Sequence, residues 1–427
     1  MSKEIKPDDG HARVSRRNLI KGAMASAGAL VVPGVVSANT TVPVTDVTED
    51  IVDLSGKYDF YGSGPQCGIE TPPQRYAIFM TFDLTTDDAR VLQILLARWS
   101  SAIYQLMQGT PTGQVEPSRP EATGGDTGEA LDLEPASLTV TVGLGPGVFS
   151  DKLGLSRYKP ALLRDLISLP GDNLSPELTG GDLSLQACAD DPQVVYHAIR
   201  NLSRIARITG AAQTRWAVTG FGRASAGKGQ STPRNLFGFK DGTRNVSSKD
   251  EFDRYVWIND KDPSWQQHGC YQIVRKIKMR IETWDTDRVS DQNEIFGRHK
   301  VSGAPLTGKH EFDTPDFHKK DDEGNLIIPV TSHISLAAHE NNDGIKILRR
   351  PYNYTDGLNN YAMLDAGLLF ISYQKDPAQF EHLQTRLGAS DALNEYISHI
   401  GSGIFFIPPA PQEGSYIGEG MFKASSS

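Results

Sequence analysis

Three short segments in the second half of this 427-residue chain concentrate residues able to do chemistry. The first, Asn235-Leu-Phe-Gly-Phe-Lys-Asp-Gly-Thr-Arg-Asn245, places the carboxylate of Asp241 between bulky apolar neighbours and a turn. Gly238 and Gly242 there let the backbone approach a ligand closely, and a carboxylate so placed can carry a proton to or from a reacting group. The second, Thr331-Ser-His-Ile-Ser-Leu-Ala-Ala338, opens a helix-compatible stretch of small residues on His333. A neutral imidazole there can ligate a metal or a haem iron through one nitrogen. The third, Ile345-Lys-Ile-Leu-Arg-Arg-Pro351, ends an apolar strand pattern in two guanidiniums. Strand neighbours point to opposite faces, so only one of Arg349 and Arg350 can face inward. Each segment also has an ordinary reading by itself: Asp-Gly closes many turns, a lone histidine is more often structural than a ligand, and paired arginines are more often solvated.

The elements that must position these residues follow from pattern. Tyr76–Leu84 is an apolar, β-branched and aromatic run, hence a strand; Thr86-Asp-Asp can cap the helix that then runs through Val91–Trp99. A Pro/Gly/Glu-rich loop from Gly109 to Glu134 precedes a second strand in Ser137–Gly143. The same layout recurs later, with strands in Tyr271–Ile281 and Gly367–Tyr373 and a helix from Pro377 to Leu387. Long intervening loops and mixed order favour an α+β design with antiparallel sheets over a doubly wound parallel one. Gly220–Gln230 has the small, polar composition of a linker between two halves, residues 58–225 and 226–422.

Composition narrows the classes. With 38% hydrophobic and 22% charged residues the chain is globular, and a net charge of −9 without a basic cluster argues against a nucleic-acid partner. Cys67, Cys188 and Cys270 show no CxxC or CxxCH spacing, which disfavours a disulfide framework, a zinc site and covalent haem attachment; they read as small buried residues, with one disulfide still open. Residues 1–38 read as an address. Ser15-Arg-Arg-Asn-Leu-Ile-Lys21, an uncharged Gly22–Val36 and the small residues of Val36-Ser-Ala38 give the order basic, apolar, cleavable, with the cut expected after Ala38. The adjacent arginines resemble the twin-arginine export signal, which carries folded proteins and so hints at a cofactor inserted before export. Residues 39–57, poor in periodic pattern, are expected to be a mobile lead-in.

Taken together, Gly238-Phe-Lys-Asp-Gly242, then a histidine, then Leu348-Arg-Arg350 resemble the dye-decolourising peroxidases. So do Ile295–Leu306, Leu364–Gln374 and Gly403–Pro408, and with its leader the chain is most similar to the exported branch, which includes deferrochelatases of bacterial ferrous-iron uptake. The resemblance implies a dimeric α+β barrel of two ferredoxin-like halves binding one haem b per subunit in a homo-oligomer. It implies His333 as iron ligand, Asp241 as the carboxylate over the iron and Arg349 as its arginine. Gly242, Thr243 and Arg244 would line the haem edge, Leu369 and Phe370 would pack near it, and Asp365 would accept the other ring N–H of His333. Relatives often carry His-x-Arg and Asn-Pro-Arg where this chain has His333-Ile-Ser335 and Ala338-His-Glu340, so the haem carboxylates would need other partners, His339 or backbone groups among them.

The implied reaction is reduction of hydrogen peroxide and oxidation of an organic donor, outside the cytoplasm, with components of an iron-uptake system as partners. Asp241 would move the proton between peroxide oxygens and Arg349 would stabilise the departing hydroxide. Large donors would pass electrons through surface aromatics, with Trp257, Trp284 and Tyr373 as candidates. The rival readings are release of iron from haem with the porphyrin intact, a non-catalytic haem carrier, and a binding module without cofactor.

Overall fold

The computed structural model describes residues 52–222, 232–259, 263 and 265–423. The twin-arginine leader and most of the lead-in and linker lie outside the described residues.

Strand β1 (Tyr76–Leu84) has the expected bounds, and Asp88 rather than Thr86 caps helix α1 (Ala89–Met107), its side chain accepting from the Arg90 N–H. Leu92, Leu95, Leu96, Trp99, Ile103 and Leu106 recur at three- and four-residue spacing and bury one face of α1. After β2 (Thr139–Leu144) and β3 (Leu183–Ala189) comes α2 (Pro192–Ile208). It starts on Asp191, which accepts from Gln193 and Val194 N–H, with proline at the first helical position, where its missing donor costs nothing. Strand β4 (Ala212–Phe221) completes a βαββαβ unit.

Helix α3 (Lys249–Tyr255), closed by a Ser248/Glu251 capping box, precedes the second half. There the order is β5 (Cys270–Met279), α4 (Ile281–Trp284), α5 (Val289–Phe296), α6 (His333–Ala337), β6 (Leu348–Arg349), β7 (Tyr352–Leu358), β8 (Leu364–Gln374), α7 (Pro377–Ser390) and β9 (Ile397–Ile407). Apart from the two-residue β6, this repeats βαββαβ.

The sheet order makes the repeat a symmetry. The first half pairs as β2-β3-β1-β4 and the second as β9-β5-β8-β7, every partner antiparallel. Numbered within each half, both are the 4-1-3-2 order of a ferredoxin-like sheet. The two sheets join at reciprocal seams: β4 meets β7 through Gly220↔Tyr354 and Phe221↔Asn353, and β2 meets β9 through Leu144↔Phe406. Eight strands thus close a barrel, the α+β fold expected from the sequence.

Alternation along each strand then sorts side chains. Phe79, Trp216, Tyr354, Leu369, Tyr373 and Phe405 fill the barrel. Outside it, α1 and α2 cover the first half through Phe82, Leu92, Trp99 and Leu202, each fully buried and worth roughly 1.5–3 kcal/mol for the larger apolar groups. The segments at the start and end of the barrel run together, with Gly62 N–H donating to Pro411 O at 3.0 Å and Ala410 N–H to Gly64 O at 2.9 Å. All three cysteines are free, and among the described residues no helix is long and apolar enough to cross a membrane.

Candidate active site

The helical layer over the second half is not filled. Between the outer face of β5, β8 and β9 and the helices α6 and α7 lies a cavity of about 240 Å³. That is far more room than a few structural waters need. Ile277, Leu368 and Phe370 from the sheet, Phe296 from α5 and Leu383 from α7 give it apolar walls.

His333 is the first residue of α6 and opens onto this cavity. Gly297 sets the approach of α6 to α5: it ends α5 in the left-handed region at φ 75, and a Cβ there would lie 2.6 Å from Ile334 Cγ1. The imidazole packs edge-on to Phe296, with centroids 5.9 Å apart. Its Nδ1 lies 2.6 Å from Asp391 Oδ2. Asp391 is 5% exposed and fixed by its other oxygen, which accepts from Leu393 N–H at 2.9 Å where the chain leaves α7. Burial pushes the imidazole toward neutrality, yet the charge and hydrogen bond of Asp391 outweigh it and the pKa rises. In the neutral ring, with the proton on Nδ1 facing this carboxylate, Nε2 carries the lone pair.

Asp241 and Arg349 line the same cavity, and both charges are felt at His333. Arg349 Nη1 lies 3.2 Å from Asp241 Oδ1, and Nη2 donates to Thr243 O at 3.1 Å. The strand carrying Arg349 is pinned by Asn245, whose side chain accepts from Arg349 N–H at 2.9 Å and donates to its carbonyl at 2.7 Å. Arg350 points to the opposite face, 2% exposed, donating to Thr71 O and to Gln74 Oε1 at 2.6 Å. A buried carboxylate braces the Asp241 loop from behind. Glu311 accepts from Lys240, from Thr232 and from Thr243 Oγ1 at 2.9 Å, and its pKa falls because these donors outweigh burial.

Gly242, Thr243 and Arg244 line the cavity, as does Phe370. Two expectations on β8 are corrected. Asp365 does not reach His333; it pairs with Lys278 Nζ at 3.1 Å, and Asp391 takes its place. Leu369 faces the barrel interior, and Leu368 faces the cavity. The cause is common: residues 365, 367 and 369 share one face of a period-two strand, and 366, 368 and 370 the other. Trp257, Trp284 and Tyr373 are 7%, 1% and 0% exposed, so none lies at the surface as an exit for electrons.

Arg275 and His399 also line the cavity, and no motif in the sequence marked them. Arg275 is wholly buried and paired with Asp172 of the first half. His399, 5% exposed beside it, is pushed down to about 3 by burial and by the Arg275 charge. Arg298, 7% exposed, donates to Gly303 O at 2.7 Å and Glu311 O at 3.0 Å and falls to about 10 through burial and the nearby Arg244 and Arg349. Among the described residues no cluster of three His, Cys, Asp or Glu suits a bare metal ion. An apolar slot, one carboxylate-oriented imidazole and cations at the rim fit instead a flat, largely apolar metal complex with acidic side groups, which is what a haem is.

The fold and site thus define a haem-binding α+β barrel, and comparison with known proteins places it. Residues 66–222 match the N-terminal and 232–412 the C-terminal domain of the Dyp-type peroxidases. Relatives named deferrochelatase are 37% identical in Yersinia pestis bv. Antiqua (98% of this chain, 97% of that protein) and 35% identical in Escherichia coli K12 (98% and 100%). Among solved structures, ferric DtpA from Streptomyces lividans superposes with a TM-score of 0.80 at 36% identity, over 86% of this chain and 98% of that one. A DyP-type peroxidase from Streptomyces coelicolor gives 0.79 at 37%, over 86% and 96%. This chain belongs to the Dyp-type peroxidase family. It is a haem peroxidase, and haem is its cofactor.

Proposed function

We propose that the chain binds one haem b in the α6/α7 cavity with His333 Nε2 as the iron ligand, and reduces hydrogen peroxide at the expense of an organic donor. The observation carrying this is that a carboxylate-oriented imidazole shares one cavity with the Asp241–Arg349 pair, 3.2 Å apart. The haem, when bound, supplies the iron at which peroxide is cleaved and the electrons are taken up. Everything else falls to side chains. Asp391 keeps the imidazole proton on Nδ1 and makes the ring a stronger donor. Asp241 accepts a proton from one peroxide oxygen and returns it to the other. The Arg349 guanidinium stabilises the negative charge that develops on the departing oxygen until the proton from Asp241 makes it water, and it holds Asp241 in place. Phe296, Leu368 and Phe370 exclude water from the reacting groups.

The test is the optical spectrum of the haem-loaded protein before and after stoichiometric peroxide. His333→Ala is expected to lose the wild-type iron coordination, and Asp241→Asn to slow the peroxide-induced change by about 10²–10⁴-fold. A His333→Ala spectrum identical to wild type would overturn the ligand assignment.

Release of iron from haem with the porphyrin intact is the second reading, favoured by full-length relatives named deferrochelatase. Free protoporphyrin formed from haem without peroxide supports it; its absence removes it. The Ser15–Lys21 segment supports folded export by the twin-arginine route, an extracytoplasmic location and a place in iron acquisition. Retention of precursor in the cytoplasm when Arg16 and Arg17 become lysines would test this.

A further inference from the structure

One rim of the cavity is cationic although the chain carries a net charge of −9. Arg244, His339 and Lys346 line it. Each is matched by a carboxylate lying just outside the lining. Arg244 Nη2 is 2.5 Å from Glu340 Oε1, His339 Nδ1 is 3.2 Å from Glu340 Oε2, and Lys346 Nζ is 2.5 Å from Glu251 Oε1. These pairs are open to solvent, with 24% and 33% of the Arg244 and Glu340 side chains exposed. Attraction between such charges is weak and exchangeable.

The two carboxylates are held differently. Glu251 also accepts from Ser247 N–H at 3.1 Å and Ser248 N–H at 3.4 Å at the start of α3, so it has a structural post. Glu340 sits in the short turn His339–Asn341 with one oxygen turned to the Arg244 guanidinium and the other to the His339 ring. Arg244 is fixed at the other side, on a left-handed backbone at φ 61 beside Asn245, which is locked to Arg349. A cation anchored at the cavity edge is therefore occupied by a half-exposed carboxylate whose one backbone partner is its own N–H.

We propose that this rim is a subsite for carboxylate groups of the haem, and that Glu340 is a resident carboxylate competing with them for Arg244 and so shortening the time the haem stays bound. The proposal rests on the haem site described above. When a haem carboxylate takes Arg244, one ion pair replaces another and Glu340 passes to water; no bond is made or broken. With the ligand in place, Glu340 remains a like charge beside it, and each departure of the haem is helped by re-formation of the Arg244–Glu340 pair.

The measurement is transfer of haem from the loaded full-length chain to excess apomyoglobin. Glu340→Gln is expected to slow transfer by about threefold or more, and Arg244→Gln to speed it by a similar factor. In the Arg244→Gln background, Glu340→Gln should then slow transfer by a clearly smaller factor than in the wild-type background. With haem dimethyl ester, whose carboxylates are masked, Glu340→Gln and wild type should release at equal rates. Faster or unchanged transfer in Glu340→Gln, or equal slowing with the ester, overturns the proposal. So does a Glu340→Gln effect confined to the KM of a carboxylate-bearing donor and absent for a neutral one, which would assign the subsite to the donor. All these variants keep His333, so wild-type coordination with unmoved transfer rates defeats the Glu340 proposal alone, whereas an unaltered His333→Ala spectrum defeats the haem reading.

Discussion

At the scale of residues, the decisive pair is His333 and Asp391, separated by 58 positions and brought to 2.6 Å. A carboxylate behind a ligating imidazole typically changes metal affinity or activity 10–100-fold when removed. Asp391→Asn should therefore weaken haem retention by about that factor, seen as faster transfer to a scavenger globin, while Asp365→Asn should leave it unchanged. The histidine, the Asp241 turn and Arg349 were legible because each belongs to a compact motif. Asp391 was not, because its role depends on where α7 ends. The only local hint is an Asp after a helical stretch and before Ala392-Leu-Asn-Glu, the pattern of a cap. Asp365 and Leu369 were misplaced for a different reason: a motif fixes which segment meets the cavity, and only the register of the sheet fixes which alternate residues face it.

At the scale of elements, the geometry of the site is set by how α6 meets α5 and how β9 meets α7. Gly297 allows the first contact, since any side chain would strike Ile334 and Ser332 while also straining a φ of 75. Gly297→Ala should cost about 1–3 kcal/mol and shift His333, so the variant should melt lower in the apo form and show altered iron coordination when loaded. The second contact is His399, with Nε2 3.2 Å from the side-chain amide of Gln384. Its pKa is near 3 in the fold and about 6.5 when unfolded, so the fold is fully favoured above pH 6.5 and loses stability as pH falls toward 3. The loss is about 1.4 kcal/mol per pH unit in that window, about 2 kcal/mol at pH 5. Melting temperatures of His399→Gln between pH 6.5 and 4.5 should fall less steeply than those of wild type; parallel slopes would show that another group titrates.

At the scale of the molecule, the sequence revealed two similar halves but not that they close on each other. β1, α1, β2, β5, β8 and α7 could be read from period and caps. The reciprocal seams could not, because they rest on one or two residue pairs each, such as Leu144↔Phe406, whose partners lie in different halves. Closure ties the cavity to the first half as well, since Arg275 is neutralised by Asp172. Residues 232–423 produced alone should therefore expose the barrel interior and leave Arg275 buried without its carboxylate, a loss of about 3–5 kcal/mol from that pair before any apolar term. Circular dichroism of that fragment should show no cooperative melt, and the intact chain should unfold in one transition.

The backbone bonds from Gly62 to Pro411 and from Ala410 to Gly64 have a further consequence for how the chain is threaded. Because its first and last barrel segments are already neighbours, the order in which elements are strung is separable from the order in which they pack. A short peptide joining the two barrel ends, with a new opening at the exposed Asn360–Tyr361 tip, would yield a permuted chain with the seams and His333–Asp391 intact. Its haem spectrum should match the parent, and the entry point for anything attached to the chain would move to the far end of the β7–β8 hairpin.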